Sequence, residues 1–399
     1  MYSLSVAVLV LAAAPTTLEQ ALTLVPDGNA ELRVSRSEVE VARASVPLAH
    51  DWEMPKLRLQ FNDAQAVPSG SFTWFTGISW RPPNPWEWSN GASQAELKVR
   101  QAELDLAAQT WRVVRDVRLG WLDVSGAAAH EALARRSTEL RGKLRAVMQR
   151  RMERGGSTQV EVNLAQLAET DARQDVARWE ANRLKATASV AWLVGQPVAP
   201  IPLTLPDTPP ELPSLATLLD RLERHPHLES LRLRVEAGRA GERLVGAKRL
   251  PWPELQLRLR QKTGETPVQN DLQVGLTIPL GITPAPQVDV ARAQVVRAQA
   301  QYDAEHAQQS AELEILMARA QGLTERWRSF ESEYRATMTS HLALQARVLA
   351  DDSLDPTLLM TADRQAIELE HKRLDVQVDL AKVLVELEGT AGPARPTSD

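Results

Sequence analysis

The residues best suited to chemistry in this chain are seven histidines and one short acidic cluster. Only His225 and His227 are close in sequence, and the proline between them is typical of the start of a helix. The absence of cysteine excludes disulfides, thiolate metal sites and a cysteine nucleophile. The sequence also lacks a glycine-rich phosphate loop, a nucleophile elbow and a His-Glu-x-x-His motif. We therefore expect no enzyme activity, no catalytic or metal-binding residue and no cofactor.

The acidic cluster comprises Asp351, Asp352 and Asp355, and its spacing is not that of an EF-hand loop. Two interpretations remain open at this point. The acids could cap a solvated helix, or they could form a ring at the mouth of a tunnel if several copies of the chain assemble. In such a ring the like charges would repel one another and attract cations.

The composition is typical of long packed helices. Hydrophobic residues make up 43% of the chain but aromatic residues only 5%, so small and aliphatic side chains must make most apolar contacts. The formal net charge is −5, and basic and acidic residues are interleaved rather than gathered into blocks. This pattern argues against a nucleic-acid partner.

The sequence is internally duplicated. The segment PKLRLQF at residues 55–61 returns as PELQLRL at residues 253–259, an offset of 198 (253 − 55). Residues 78–80 and 276–278 are related by the same offset. A helical pattern precedes and follows each matched pair, so we predict two tandem helix–strand–strand–helix repeats.

The matched segments alternate strictly between apolar and polar residues. Strands are predicted at about residues 55–63 and 72–80 in the first repeat, and at about 253–261 and 271–279 in the second. Alternation with one polar face is the pattern of a half-buried strand. The apolar positions of these strands include Leu57, Leu59, Phe61, Leu255, Leu257, Leu259, Val274 and Leu276.

Each strand pair is followed by a helical pattern too long for a globular domain. Apolar residues recur every three or four positions between about residues 91 and 151, without an intervening proline. A helix of that length would reach roughly 90 Å at ~1.5 Å per residue, and it needs partners along its whole length, as in a coiled coil. Turns between antiparallel helices are predicted near residues 152–158 and 350–356, where glycine and Asp-Pro pairs occur.

These elements divide the chain into a first repeat at residues 15–196, a proline-rich linker at 197–213 and a second repeat at 214–388. Residues 389–399 are expected to be a disordered tail. Residues 1–14 end in small residues and are too short to span a bilayer, which indicates a signal peptide. A buried N-terminal strand is the alternative, because no Lys or Arg precedes the apolar run.

Four amphipathic strands per chain favour a transmembrane barrel built from several chains. A membrane barrel has apolar side chains outside, polar side chains inside and no free edges. About eight strands are the minimum for closure, so four strands require an oligomer. The apolar strand positions named above are then expected to face lipid. The tryptophans on or beside the strands fit a belt at the membrane interface. The alternative is that they are ordinary core aromatics. They are Trp74, Trp80, Trp86, Trp88 and Trp252.

The order of elements resembles that of the TolC family of outer-membrane efflux proteins over nearly the whole chain. The opening helix at residues 17–22, TLEQAL, begins with the pattern of a capping box. The segment LVGQP at residues 193–197 is similar to the phrase that closes the family's first repeat. The segment HPHL at residues 225–228 is similar to the start of the following helix, and RRMERGG at 150–156 resembles a helix turn at the periplasmic tip.

The resemblance implies a mostly α-helical fold in which long antiparallel helices form an α-barrel and a homotrimer completes a twelve-stranded transmembrane β-barrel. It further implies a passive duct in the cell outer membrane, with its helical part in the periplasm. Such a duct exports small molecules or metal ions together with a periplasmic adaptor and an inner-membrane efflux pump. The short chain and short strands lean toward the heavy-metal efflux branch of the family.

The two helix turns would dock the adaptor in this scheme. The residues concerned are Arg154, Gly155, Gly156 and Ser157 in the first turn and Asp352, Ser353 and Leu354 in the second. Asp351 and Asp352 stand where the family usually shows an aromatic or basic residue and a glycine. The two turns are therefore not expected to dock alike.

Two other classes of protein are compatible with such long helices. A periplasmic adaptor carries one coiled-coil hairpin flanked by small β domains, whereas this chain has two hairpin patterns. A structural coiled-coil protein of an envelope transport complex has no need of paired alternating strands. Residence in the outer membrane would distinguish the duct from both.

Overall fold

The structure is a computed structural model that describes residues 17–393 except 50, 52, 64–71, 250, 264–268, 280–284 and 351–355. The first repeat contains α1 (Leu18–Gly28), α2 (Ala30–Ala49), β1 (Lys56–Asp63), β2 (Phe72–Trp80), α3 (Pro85–Glu153) and α4 (Gln159–Val194). The second contains α5 (Leu215–Leu222), α6 (Pro226–Ala247), β3 (Glu254–Thr263), β4 (Gln269–Thr277), α7 (Ala285–Ala350) and α8 (Pro356–Ala391). The predicted fold class, mostly helical with two helix–strand–strand–helix repeats, is confirmed. The predicted signal peptide lies outside the described residues.

The helix starts follow capping chemistry that is legible in the sequence. Thr17 and Gln20 form the expected capping box, in which the Thr17 hydroxyl accepts from the Gln20 N–H and the Gln20 side chain accepts from the Thr17 N–H. Ser214 caps α5 in the same way by accepting from the Thr217 N–H. A break in the first helical segment was not expected from the sequence. Asn29 separates α1 from α2, because its side chain accepts from the N–H groups of Glu31 and Leu32.

The four strands form one antiparallel sheet in the order β1-β2-β3-β4. Leu57 pairs with Ile78, Ile78 pairs with Leu257 and Leu257 pairs with Val274, so one apolar row crosses the whole sheet. The neighbouring row contains Arg58, Gly77, Arg258 and Gln273. The register therefore brings the apolar positions of both repeats onto one face and the polar positions onto the other.

The chain divides into two compact units. The sheet unit comprises residues 35–107 and 226–307. Small residues and polar bonds join its helices: Arg43 of α2 pairs with Glu103 of α3 at 2.7 Å, and the buried Ser230 of α6 donates to Asp105 of α3. A Cβ on Gly238 of α6 would lie 3.3 Å from Val295 Cγ2 of α7, so the glycine lets these two helices approach closely. Such close spacing suits helices that pack side by side.

The coiled-coil unit comprises residues 1–34, 108–225 and 308–399. Trp121 of α3 and Trp327 of α7 are fully buried in it. The Trp121 indole donates to the Ile201 carbonyl at 3.0 Å, and the Ser125 hydroxyl accepts from the Leu203 N–H at 2.8 Å. These two bonds fix the proline-rich linker against α3.

The predicted tail begins later than residue 389. Residues 389–391 complete α8, where Thr390 and Ala391 are buried and the Trp111 indole donates to the Gly389 carbonyl at 2.9 Å. The earlier boundary was wrong because this contact with α3 joins positions far apart in sequence. Residues 394–399 lie outside the described part of the chain.

Candidate functional site

On its two central strands, β2 and β3, the sheet exposes its apolar face more than its polar face. Leu255, Leu257 and Leu259 of β3 are each more than 40% exposed, whereas the alternate residues Gln256, Arg258 and Arg260 are half-buried. In a water-soluble sheet this order is reversed, because burial of apolar area drives folding. The other side chains on the apolar face, Leu57, Leu59, Ile78, Leu272, Val274 and Leu276, are exposed as well. The Phe61 side chain is outside the described set.

The two outer strands of the sheet are open at their far edges. β1 pairs only with β2 and β4 only with β3 within the part of the chain that the structure describes. An edge strand presents a row of unpaired N–H and C=O groups that can bond to another strand. The sheet of one chain is therefore incomplete as a hydrogen-bonded structure.

Two tryptophans beside the sheet are exposed. Trp86 and Trp88 lie in the first turn of α3, and Trp86 meets Trp252 edge to face with ring centroids 6.0 Å apart. The Trp252 indole donates to the Pro82 carbonyl at 2.7 Å. Trp74 and Trp80, on β2, are half-buried. Trp86 and Trp88 are too exposed on the single chain to be ordinary core aromatics.

The turn between α3 and α4 is tight and held by backbone bonds. Gly155 adopts a left-handed φ of +79°, which favours glycine. The N–H groups of Gly155 and Gly156 donate to the carbonyls of Met152 and Arg151 at 2.9 and 2.8 Å. Thr158 then forms a capping box with Glu161 that starts α4. The Thr-x-x-Glu pattern at residues 158–161 predicts this cap, although the cap was not among the features predicted from the sequence.

An apolar stripe begins directly after this turn. Val160, Leu164 and Leu167 are all exposed, and their spacing places them on one side of α4. The opposite side of the helix is buried, with Val162 and Ala165 packed on Met148 of α3. We call the three exposed residues the α4 stripe. The second predicted turn, with Asp351, Asp352, Ser353, Leu354 and Asp355, lies outside the described residues.

Two histidines from distant parts of the sequence meet inside the coiled-coil unit. His130 of α3 and His371 of α8 face each other with their Nδ1 atoms 2.7 Å apart, so one donates and the other accepts. The Trp179 ring of α4 stacks on His130 with centroids 4.1 Å apart, and Asp375 lies 3.1 Å from His130 Nε2. Burial is the main cause that lowers the pKa of His130 to about 4, and burial also lowers the pKa of His371.

A second buried polar group joins three helices of the same unit. Asp363 of α8 lies 3.8 Å from Arg141 of α3 and 3.9 Å from His341 of α7. Burial raises the pKa of the Asp363 carboxyl, although the neighbouring Arg141 and His341 oppose this. Arg141 also donates to the Ala168 carbonyl at 3.0 Å, which ties α4 to the group. These contacts hold α3, α4, α7 and α8 together.

No group of three or more potential ligand side chains is arranged to hold a metal ion among the residues that the structure describes. His225 is buried near Gly392, and His227 lies 3.6 Å from Glu305. A search of the described helices for one long and apolar enough to cross a bilayer found none.

Solved structures share this fold at low sequence identity. A structure of CusC, titled for its folding and transmembrane channel formation, superposes with a TM-score of 0.77 at 15% identity, covering 94% of this chain and 92% of that chain. VceC, an outer membrane protein of Vibrio cholerae, gives 0.77 at 14% identity, covering 94% and 96%. The CmeC outer membrane channel of Campylobacter jejuni gives 0.73 at 13%, covering 94% and 85%. The fold is therefore that of outer-membrane channel proteins.

The sequence itself matches a family model described as outer membrane efflux protein, over residues 22–196. The resemblance inferred from the motifs is thus confirmed, and the match lies within the first repeat. A search for characterised proteins with a similar sequence found no match. The matching family model is described as an efflux protein, and the similar solved structures are described as channels.

Proposed function

We propose that this protein is the outer-membrane channel of a tripartite efflux system. It acts as a homotrimeric passive duct that carries small molecules or metal ions from the periplasm to the exterior. The observation that carries the proposal is the inverted order of exposure on the central strand β3, whose apolar residues are exposed while its polar residues are half-buried. An exposed apolar face of this size suits contact with lipid acyl chains.

The open edges of the sheet support assembly of several chains. β4 of one protomer can pair with β1 of the next, which satisfies both rows of backbone groups and removes every edge. Three protomers then supply twelve strands, above the roughly eight that a barrel needs. The positions proposed to face lipid are those named from the sequence, Leu57, Leu59, Phe61, Leu255, Leu257, Leu259, Val274 and Leu276.

The α4 stripe supports docking of a partner at the α3–α4 turn. Three exposed aliphatic residues one and two turns apart form the kind of surface that accepts an amphipathic helix. The turn residues Arg154, Gly155, Gly156 and Ser157 adjoin it. We propose that a periplasmic adaptor, itself connected to an inner-membrane pump, binds here and at Asp352, Ser353 and Leu354 of the other turn. The acids Asp351, Asp352 and Asp355 are proposed to ring the periplasmic mouth.

Reconstitution tests the duct directly. The purified protein is expected to have the mass of three chains in mild detergent, and to produce steps of ion conductance when added to a planar bilayer. The adaptor and structural-protein alternatives predict no conductance. A stable monomer that leaves the bilayer insulating would contradict the proposal.

A further inference from the structure

The polar face of the sheet carries more cations than anions. Its described side chains include Lys56, Arg58, Arg258 and Arg260, against Glu254 and Asp271. The protein as a whole has a formal net charge of −5, so the net charge of this face is opposite in sign to that of the whole chain. In the proposed duct the polar face lines the lumen.

Two of these cations are already engaged by acids. Lys56 forms an ion pair with Glu53, and Arg260 lies 4.0 Å from Asp271 and over the ring of Phe75. Arg58 and Arg258 differ from them. Neither forms an ion pair with any residue in the described ranges, and the one side-chain bond of Arg258 is to the neutral Gln256.

Gly77 separates these two arginines and makes room for them. The register aligns Arg58, Gly77 and Arg258 in a single row across β1, β2 and β3. A Cβ on Gly77 would lie 2.9 Å from Arg258 Cγ and 2.9 Å from the Leu257 carbonyl oxygen. The glycine therefore lets the Arg258 stem lie close against β2. With strands ~4.8 Å apart, the two arginine Cα atoms are about 10 Å apart.

We propose that Arg58 and Arg258 form an anion-selecting band and that the exported substrates are small organic anions bearing carboxylates. This inference rests on the proposed trimeric duct, in which three copies place six guanidinium groups around the lumen. Guanidinium groups present paired N–H donors that match the two oxygens of a carboxylate. Unpaired cations in a confined lumen raise the local concentration of anions and repel metal cations.

Reversal potentials across a planar bilayer test the band. The measurement uses a channel in which Asp351, Asp352 and Asp355 are replaced by asparagine, because the proposed acid ring would itself attract cations. Under a low-salt KCl gradient, this channel is expected to prefer chloride over potassium. In the Arg58→Gln/Arg258→Gln double variant this preference should fall by at least about fourfold, because each unit charge ~10 Å away in water changes an ion's Boltzmann weight about twofold. The effect should shrink as salt is added, since the charges are then screened.

A matched variant keeps the net charge of the same face. Arg260→Gln/Asp271→Asn removes one cation and one anion from the polar face and is expected to leave the selectivity unchanged. An equal loss of chloride preference in this control would overturn the assignment to Arg58 and Arg258.

Block of the current by citrate provides a second measurement on the channel with the three neutral asparagines. Citrate is expected to reduce its current at concentrations at which Mg²⁺ does not, and adding Arg58→Lys/Arg258→Lys should keep the chloride preference while losing most of the citrate block. A channel that still prefers potassium when the three acids are neutral, or that Mg²⁺ then blocks better than citrate, would overturn the anion band but leave the duct intact. An insulating wild-type protein would overturn both.

Discussion

Gly195 ends α4 with a left-handed φ of +82°, and its backbone lies against that of Gly28 in α1. A Cβ on Gly195 would lie 2.1 Å from the Gly28 carbonyl oxygen. Two separate physical reasons therefore require glycine at this position, namely the conformation and the contact between two backbones. Asn29, next to Gly28, adds a hydrogen bond from its amide to the Leu193 carbonyl at 2.7 Å.

Replacing Gly195 by alanine is expected to lower the free energy of unfolding by more than about 2 kcal/mol. The left-handed conformation alone costs an alanine roughly 1–2 kcal/mol, and the close contact adds to this. Gly322→Ala is the control. A Cβ there meets open space within α7, so the change should stabilise by about 0.5–1 kcal/mol. Chemical denaturation in detergent measures both, and equal stability of the two variants would refute the interpretation of Gly195.

The pair of His130 and His371 makes stability depend on pH. The pKa of His130 is lowered to about 4, first by burial, with a further contribution from His371 and Arg178 and opposition from Asp375. The pKa of His371 is lowered by burial, with Asp175, Asp375 and Glu370 opposing. The unfolded chain, with a histidine pKa of about 6.5, therefore binds more protons than the folded chain between pH 6.5 and 4. Stability from the neutral pair is complete above about pH 6.5 and decreases as pH falls toward 4.

Acidification from pH 7 to pH 5 is expected to cost the wild type about 1–2 kcal/mol through His130. His130→Gln removes the titrating group, so thermal unfolding of this variant should depend less on pH over the same range. Parallel pH profiles for wild type and His130→Gln would show that other groups cause the acid sensitivity.

The capping residues and the turn glycines were predictable from the sequence because their partners lie within a few positions. His130 and His371 were not, since they are 241 residues apart. Their meeting depends on the rotation of α3 against α8, which the packing of whole helices determines. The contact between Asp363 and Arg141 could not be predicted for the same reason.

At the scale of the elements, the alternation of the strands determines which substitution the sheet tolerates. The predicted strands and the helix turn at residue 155 were recoverable because alternation and turn residues are local signals. The register between β2 and β3 was not, because more than 170 residues separate Trp80 from Glu254. It follows from the fold, which places Ile78 beside Leu257.

Leu257→Arg is expected to prevent insertion of the sheet into lipid. Leu257 lies in the apolar row, and an arginine facing acyl chains near the midplane costs about 2–4 kcal/mol. Gln256→Arg, one position away on the polar face, should be tolerated, since it can pair with Glu254. Folding into vesicles, followed by protease protection of the strands, measures both. Equal insertion of the two variants would rule out a lipid-facing role for the apolar row.

The α4 stripe is expected to contact a partner in the periplasm. A photo-crosslinking amino acid at Leu164 should capture a coiled-coil adaptor in cells, because an exposed aliphatic stripe of this spacing fits a partner helix. The same probe at Gln166, which is exposed on α4 outside the stripe, is the control. Mass spectrometry identifies the product. Crosslinks only to other copies of this chain would place the stripe between protomers instead.

At the scale of the whole molecule, two features of a single chain are incomplete. The apolar face of the sheet is exposed, and β1 and β4 each have one edge without a strand partner in the described part of the chain. Both are resolved at once if neighbouring chains continue the sheet, because pairing of the edges also closes the apolar face into one lipid-facing band. The four-strand count predicts an oligomer from the sequence alone. If chains do join, the strand order leaves β1 and β4 as the strands that would pair.

The joining of β1 to β4 can be tested with engineered disulfides, because the chain has no cysteine of its own. Leu57→Cys in β1 is combined in turn with Leu272→Cys, Val274→Cys or Leu276→Cys in β4. One of these pairs is expected to give a covalent trimer on a denaturing gel after oxidation, since paired strands bring Cβ atoms to about 4.5–5.5 Å. Leu57→Cys with Leu257→Cys is the control. These residues are two strands apart in one sheet, or about 10 Å, too far for a disulfide. Bands that stop at a dimer would contradict threefold symmetry, and no crosslink at any of the three pairs would contradict closure through β1 and β4.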